Sequence, residues 1–315
     1  MNYLILIVGF VLLIKGADFF VEGSAAVAKK LNIPGMIIGM TIVAMGTSAP
    51  ECAVSITASL KGSNELAVSN VIGSNMFNLM VVCGICALIV PLTIDATTLK
   101  REFPFSIIMG ILLLAFGFME MKLNRWEGIV FLVIFVLFLY YMVQSARKHK
   151  DKVLEEEAGE AEEEIKDLPM IKCLIFIVLG AAAIVLGGDF VVDSASKIAA
   201  QFGMSQTLIG LTIVACGTSL PELATSLAAA RKNELDMALG NVIGSNIFNI
   251  LLILGLAATI HPVAVTMENI IDMIAMTVMS LLVYGFTLKS KKIVRVQGAL
   301  MLLVYVAFIV YTCMR

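Results

Sequence analysis

Charge is what this chain of 315 residues has least of. Asp, Glu, Lys and Arg make up 15% of it, against about 25% in an ordinary soluble domain. The net charge of −2 leaves no basic footprint for DNA or RNA. Histidine occurs twice and cysteine six times. Cys83-x-x-Cys86 has no second pair to complete a zinc site, and the cysteines sit in or beside apolar runs, so buried thiols are expected rather than a disulfide framework. Long polar stretches are also scarce: residues 147–166 form the single one. What remains is 60% hydrophobic, with a mean hydropathy of +0.98. A soluble chain of this length has no interior able to hide that much apolar surface. Soluble, disordered and nucleic-acid-binding classes are excluded, and the chain reads as an integral membrane protein.

A membrane helix needs about 20 predominantly apolar residues. Ten such stretches are present: 4–28, 34–60, 66–90, 103–121 and 126–145, then 170–200, 205–230, 237–260, 270–288 and 294–314. They are too long and too continuously apolar for β-barrel strands, so an all-α polytopic membrane protein with ten transmembrane helices is expected. With the N-terminus outside, sixteen Lys and Arg residues fall on the cytoplasmic side and five on the other, which predicts both termini outside and the 147–168 linker cytoplasmic. Short loops and the want of a targeting segment point to a prokaryotic inner membrane.

The chain repeats itself. IGMTIVAMGTSAPECA at 38–53 returns as IGLTIVACGTSLPELA at 209–224, and NVIGSNMFN at 70–78 returns as NVIGSNIFN at 241–249. The offset is 171 residues in both (51 to 222, 78 to 249). Five spans per copy is an odd number, so the second copy must enter the membrane from the opposite side. The expected organisation is two inverted five-helix repeats, 1–146 and 169–315, joined by an acidic linker at 147–168. Inverted repeats with a site near the midplane are the architecture of secondary transporters.

Glu51 and Glu222 lie deep in apolar spans, where an acidic residue costs on the order of 2.5–3.5 kcal/mol. Neither central region holds a Lys or Arg to pair with them, so a bound cation is the expected counter-charge. Pro50 and Pro221 lack the N–H that would bond the carbonyls of Gly46 and Gly217, and should break both helices there. That frees backbone carbonyls around Thr47 and Thr218, tolerable in a bilayer only beside a cavity or ion. Asn78 and Asn249 follow the glutamates by 27 residues, and a hairpin turning near residues 61–64 would return them to similar depth. Ser74 and Ser245 lie one helical turn before these asparagines. All of these donors are oxygen or amide, which selects hard cations such as Ca²⁺ and Na⁺ over zinc or copper. A site charge of −2 matches one Ca²⁺ or two Na⁺. Asp18, Glu22, Asp189 and Asp193 form repeat-related i,i+4 pairs that either line a vestibule or solvate helix ends.

In GTSAPE with GSNMFN and GTSLPE with GSNIFN, the chain resembles the sodium/calcium exchanger family of the cation/Ca²⁺ antiporter superfamily, prokaryotic type. The resemblance implies a Na⁺/Ca²⁺ antiporter working by alternating access, with spans 1 and 6 sliding against the rest, and typically three Na⁺ moving per Ca²⁺. It implies Glu51 and Glu222 as central calcium ligands aided by the carbonyls of Thr47 and Thr218. Sodium sites would draw on Ala44, Thr47, Ser48 and Ser74, and on Ala215, Thr218, Ser219 and Ser245, with Asn78 and Asn249 completing the cluster. Some relatives carry Asp where this chain has Asn249. A Ca²⁺/H⁺ antiporter and a K⁺-dependent exchanger are the alternatives. A channel or an intramembrane hydrolase fits less well, since there is neither a carboxylate ring nor a complete nucleophile–base–orienter set. No enzymatic activity, resident cofactor or obligatory protein partner is expected; Ca²⁺ and Na⁺ are substrates, and the bilayer is the surroundings.

Overall fold

The computed structural model describes residues 2–60, 65–156, 169–203 and 215–314. Its helices are α1 (Asn2–Leu31), α2 (Gly35–Thr47), α3 (Ala49–Leu60), α4 (Ala67–Ile89), α5 (Thr98–Glu120), α6 (Arg125–Glu156), α7 (Met170–Gln201), α8 (Leu220–Arg231), α9 (Leu235–Ile260), α10 (Met267–Ser290) and α11 (Arg295–Met314). Among the described residues, eight helices are long and apolar enough to cross a membrane, and α2 with α3, bent by 47°, makes a ninth if the pair is one broken span. The expected span at 205–230 lies partly outside the described residues; its second part is α8.

The bend has the expected cause. Ser48 leaves the helical region of ψ (φ −81°, ψ 10°), and Ser219 does the same before α8 (φ −93°, ψ 8°). Each lies two residues before its proline, where the ring crowds the preceding turn. A second irregularity was not anticipated. Both α4 and α9 carry a π-helical turn, Phe77–Val82 and Asn249–Leu254, beginning one residue before Asn78 and at Asn249. Such turns concentrate at functional positions because they re-aim side chains within a helix.

α1 lies along α7 with close backbone approaches at a series of glycines. A Cβ built on Gly16 would stand 3.0 Å from the Gly180 carbonyl, one on Gly187 2.8 Å from the Gly9 carbonyl, and one on Gly23 2.8 Å from the Cys173 carbonyl. The glycines of α1 recur every seven residues, one position per two turns. Their partners descend in number as they ascend, so the two helices are antiparallel, and only residues without a Cβ allow this approach.

Elsewhere the two halves are interleaved. α4 packs on α11, α6 on α9 and α5 on α10. Two short antiparallel strand pairs do the same: Leu92–Thr93 with Lys292–Ile293, and Lys122–Leu123 with Val263–Ala264. The most enclosed helices are α4 and α9, each with 78% of its apolar window buried. The functional motifs run along these two and along the broken helices packed against them.

Candidate ion-binding centre

The helix breaks bring both GTS-x-PE motifs to one place. Ser48 Oγ donates to Glu222 Oε1 at 2.7 Å, and Ser219 Oγ donates to Glu51 Oε1 at 3.1 Å. Each serine thus serves the glutamate of the other half. Ser245 adds a longer bond to Glu222 Oε1, 3.4 Å. Glu51 and Glu222 are both fully buried, and the second oxygen of each has no hydrogen-bond partner among the described residues. An isolated buried carboxylate is expensive unless something cationic or a donor completes it.

The other expected donors surround this pair in varied states of satisfaction. Thr47 Oγ1 lies 3.1 Å from Asn241 Oδ1, while Thr218 Oγ1 and Ser74 Oγ are buried without a partner among the described residues. Both polar atoms of Asn78 and the Oδ1 of Asn249 are in the same condition. Ala44 is buried in the last turn of α2. Ala215 begins a short helical turn, Ala215–Gly217, and its side chain lies outside the described residues. Native interiors leave few polar atoms unpaired, so this concentration of orphans within two short motifs marks a place built to hold something polar. Among the described residues no three His, Cys, Asp or Glu gather as a metal cluster. The donors here are two carboxylates with amide and hydroxyl oxygens, a set that suits hard cations.

Several polar residues in these helices escaped the sequence reading. Asn241 Nδ2 donates to Ser226 Oγ at 2.9 Å and to the Glu222 carbonyl at 3.4 Å. In the first half Asn70 Nδ2 donates to Ser55 Oγ at 3.1 Å. Asn75 and Asn246 exchange bonds with each other's backbone. Their signal was present, since each recurs at the 171-residue offset, but helical spacing counted back from Asn78 drew attention to Ser74 alone.

The peripheral acids divide. Lys232 Nζ lies 3.7 Å from Glu22 Oε2 and donates to the Asp18 carbonyl at 2.7 Å, tying the end of α8 to α1. Asp18 also meets Lys15 at 4.0 Å, and Asp193 meets Lys197 at 3.5 Å, both pairs on their own helix and exposed. Cys83, Cys86 and Cys173 are buried as expected, whereas Cys52 and Cys216 are only half-buried and Cys313, near the end of the last helix, is exposed.

Comparison with known proteins completes the description. The family model described as sodium/calcium exchanger protein matches residues 1–144 and 172–314. A putative antiporter, CaxA, of Alkalimonas amylolytica is 44% identical over 312 residues, covering 96% of this chain and 95% of that protein. The sodium/calcium exchanger MaX1 of Methanosarcina acetivorans is 33% identical, with 98% and 97% covered. The solved structure of the sodium-calcium exchanger NCX_Mj soaked with zero Na⁺ and Ca²⁺ superimposes with a TM-score of 0.85 at 32% identity, covering 99% of this chain and 98% of that one.

Proposed function

The chain belongs to the sodium/calcium exchanger family, and from that premise we propose that it is a secondary antiporter, moving Ca²⁺ against Na⁺ through the centre formed by Glu51 and Glu222. The observation that carries this reading is the crossed pair of bonds, Ser48 to Glu222 and Ser219 to Glu51, with one oxygen of each carboxylate left over. One divalent cation between the two glutamates neutralises a charge of −2. Two bidentate carboxylates and two backbone carbonyls near Thr47 and Thr218 would give six oxygens, the lower end of the calcium range of about 6–8. Sodium, singly charged, is served by the hydroxyl-rich flanks: Thr47, Ser48 and Ser74 beside Ala44 in one half, and Thr218, Ser219 and Ser245 beside Ala215 in the other. Asn78 and Asn249 supply neutral amides between these flanks. Both ion types compete for the same two carboxylates, and that competition is the coupling of an antiporter.

Ten spans in two inverted halves, both termini outside and the 147–168 linker in the cytoplasm, complete the reading. The antiparallel course of α1 and α7, which occupy equivalent places in the two sequence repeats, supports the inversion. Their glycine seam suits a pair of helices that shift together while the centre opens to one side and then the other. Each state change would carry whichever ion set satisfies the glutamates.

The test is uptake of Ca²⁺ by proteoliposomes under an outward Na⁺ gradient, repeated with a proton gradient and with or without K⁺. Sodium-driven uptake that needs neither protons nor K⁺ is the expected result. Uptake driven only by protons, or only with K⁺ present, replaces this reading with the Ca²⁺/H⁺ or the K⁺-dependent one. The sodium/potassium/calcium exchanger 4 of Mus musculus is 34% identical over 36% of this chain and 20% of its own length, a partial likeness that makes the K⁺ arm worth running.

A further inference from the structure

The asparagines at the heart of the two GSN motifs form a chain of hydrogen bonds whose polarity is fixed from one end. Asn75 Nδ2 donates to the backbone carbonyl of Asn246 at 3.2 Å, and Asn246 Nδ2 donates to the backbone carbonyl of Asn75, also at 3.2 Å. A backbone carbonyl only accepts, so Asn75 must present its nitrogen to Asn246 and its oxygen elsewhere. That oxygen accepts from Asn249 Nδ2 at 2.9 Å. Asn249 is therefore oriented too: its nitrogen faces Asn75, and its Oδ1 is buried with no partner among the described residues. Asn75, Asn246 and Asn249 are all buried.

We propose that Asn75 is a positioning residue for ion binding: by accepting from Asn249 it holds that amide with its oxygen, not its NH₂, available to the cation. This rests on the reading of the Glu51–Glu222 centre as a cation site. An asparagine side chain is nearly symmetric in shape, and its two ends differ only in chemistry. Turned one way it offers a lone pair to Na⁺ or Ca²⁺; turned the other it offers N–H dipoles that repel them. Nothing in the shape of Asn249 itself selects between these. The selection comes from a backbone carbonyl one residue further along the chain of bonds, and Asn75 transmits it.

Asn246 provides an internal control. Its side chain bonds the Asn75 carbonyl, but the anchor that orients Asn75 is its backbone carbonyl, which survives any substitution of the side chain. Asn75→Leu should therefore raise the Ca²⁺ concentration for half-maximal Na⁺-driven uptake by about tenfold, the scale of one buried hydrogen bond. Asn246→Leu, in the same motif and equally enclosed, should change it by no more than about threefold. Asn249→Asp makes the requirement redundant, because a carboxylate presents oxygen whichever way it turns. In the Asn249→Asp background, where the carboxylate would face the Asn75 oxygen, the added Asn75→Leu should not raise the half-maximal concentration. Asn75→Ala replaces the leucine variant if the latter fails to insert, with the same expectations.

Proteoliposomes of wild type and these variants, matched for inserted protein, give the measurement. An Asn75 effect confined to chains that keep Asn249 supports the proposal. An equal effect in both backgrounds, equal effects of Asn75→Leu and Asn246→Leu, or no effect of Asn75→Leu overturns it. Absence of Na⁺-driven uptake by the wild type, or retained uptake in Glu51→Gln, instead overturns the underlying cation-site reading.

Discussion

Gly187 and Gly188 are adjacent, buried and in the middle of α7, yet they should respond oppositely to alanine. A Cβ on Gly187 would stand 2.7 Å from Leu13 N and 2.8 Å from the Gly9 carbonyl, both backbone atoms of α1. On Gly188 the nearest neighbour would be Pro221 Cγ at 3.7 Å, ordinary van der Waals contact. Both substitutions gain helix propensity, up to about 1 kcal/mol in alanine's favour. At Gly188 that gain stands alone. At Gly187 the backbones must separate by about 0.5 Å or more to reach a normal carbon contact. Overpacking of this kind costs about 1–3 kcal/mol. Gly188→Ala is thus expected to melt at or slightly above wild type, and Gly187→Ala below it, with about 1–3 kcal/mol between them. Thermal unfolding of the purified variants in one detergent, followed by circular dichroism, reads the difference without reference to transport. Equal melting temperatures for the two variants would refute the argument, because they would show that the α1–α7 approach is not limiting.

Glu51→Gln and Glu222→Gln should each abolish Na⁺-driven Ca²⁺ uptake while leaving folding and insertion intact, since both are buried and each keeps at least one serine donor; uptake retained by either variant would remove that glutamate from the site. Ser48→Ala deletes the shorter of the two crossed bonds, a hydroxyl on a carboxylate worth about 1.5–3 kcal/mol, and should weaken Ca²⁺ uptake by roughly 10- to 100-fold, measured as the half-maximal concentration. Lys232→Gln removes a pair with Glu22 that is about one-third exposed, so its stability effect should stay below about 1 kcal/mol in the same melting assay. Asp95 lies between α4 and α5: burial pushes its carboxyl up, but hydrogen bonds from Thr97 and its neighbours outweigh this and hold it below the usual carboxylate range. A depressed carboxylate stabilises above its ordinary range and loses that contribution as the pH falls through its native value. The melting temperatures of Asp95→Asn and wild type should therefore converge on acidification below about pH 4, and a gap that persists there would count against the assignment.

The repeat and the buried acids were legible because they break strong regularities. A glutamate in an apolar span and a proline one residue before it are conspicuous, and the bend at Ser48 follows from covalent geometry alone. The pairing of Ser48 with Glu222, rather than with Glu51 three residues away, was not legible, because it depends on how the halves face each other. The π turns in α4 and α9 leave no mark in composition. The roles of Asn75 and Asn241 were hidden for a related reason. Polar residues inside membrane helices can satisfy one another across helices, and spacing along one chain does not reveal which neighbour completes them. The seven-residue spacing of Gly9, Gly16 and Gly23 was visible in the sequence, but only the register against Gly180 and Gly187 shows that the spacing is a contact.

The exchanged strand pairs bear on how the molecule is made. Leu92–Thr93 closes on Lys292–Ile293, a partner about 200 residues further along the chain. At roughly 5–20 residues per second of synthesis, the first strand waits about 10–40 s for its mate, and Lys122–Leu123, about 140 residues from Val263–Ala264, waits roughly 7–28 s. During that interval two strand segments of the first half lack their partners, and until Ser219 is made Glu51 also lacks the serine that serves it. Both main-chain pairings close only after most of the second half exists, so these contacts between the halves form late in the making of the chain.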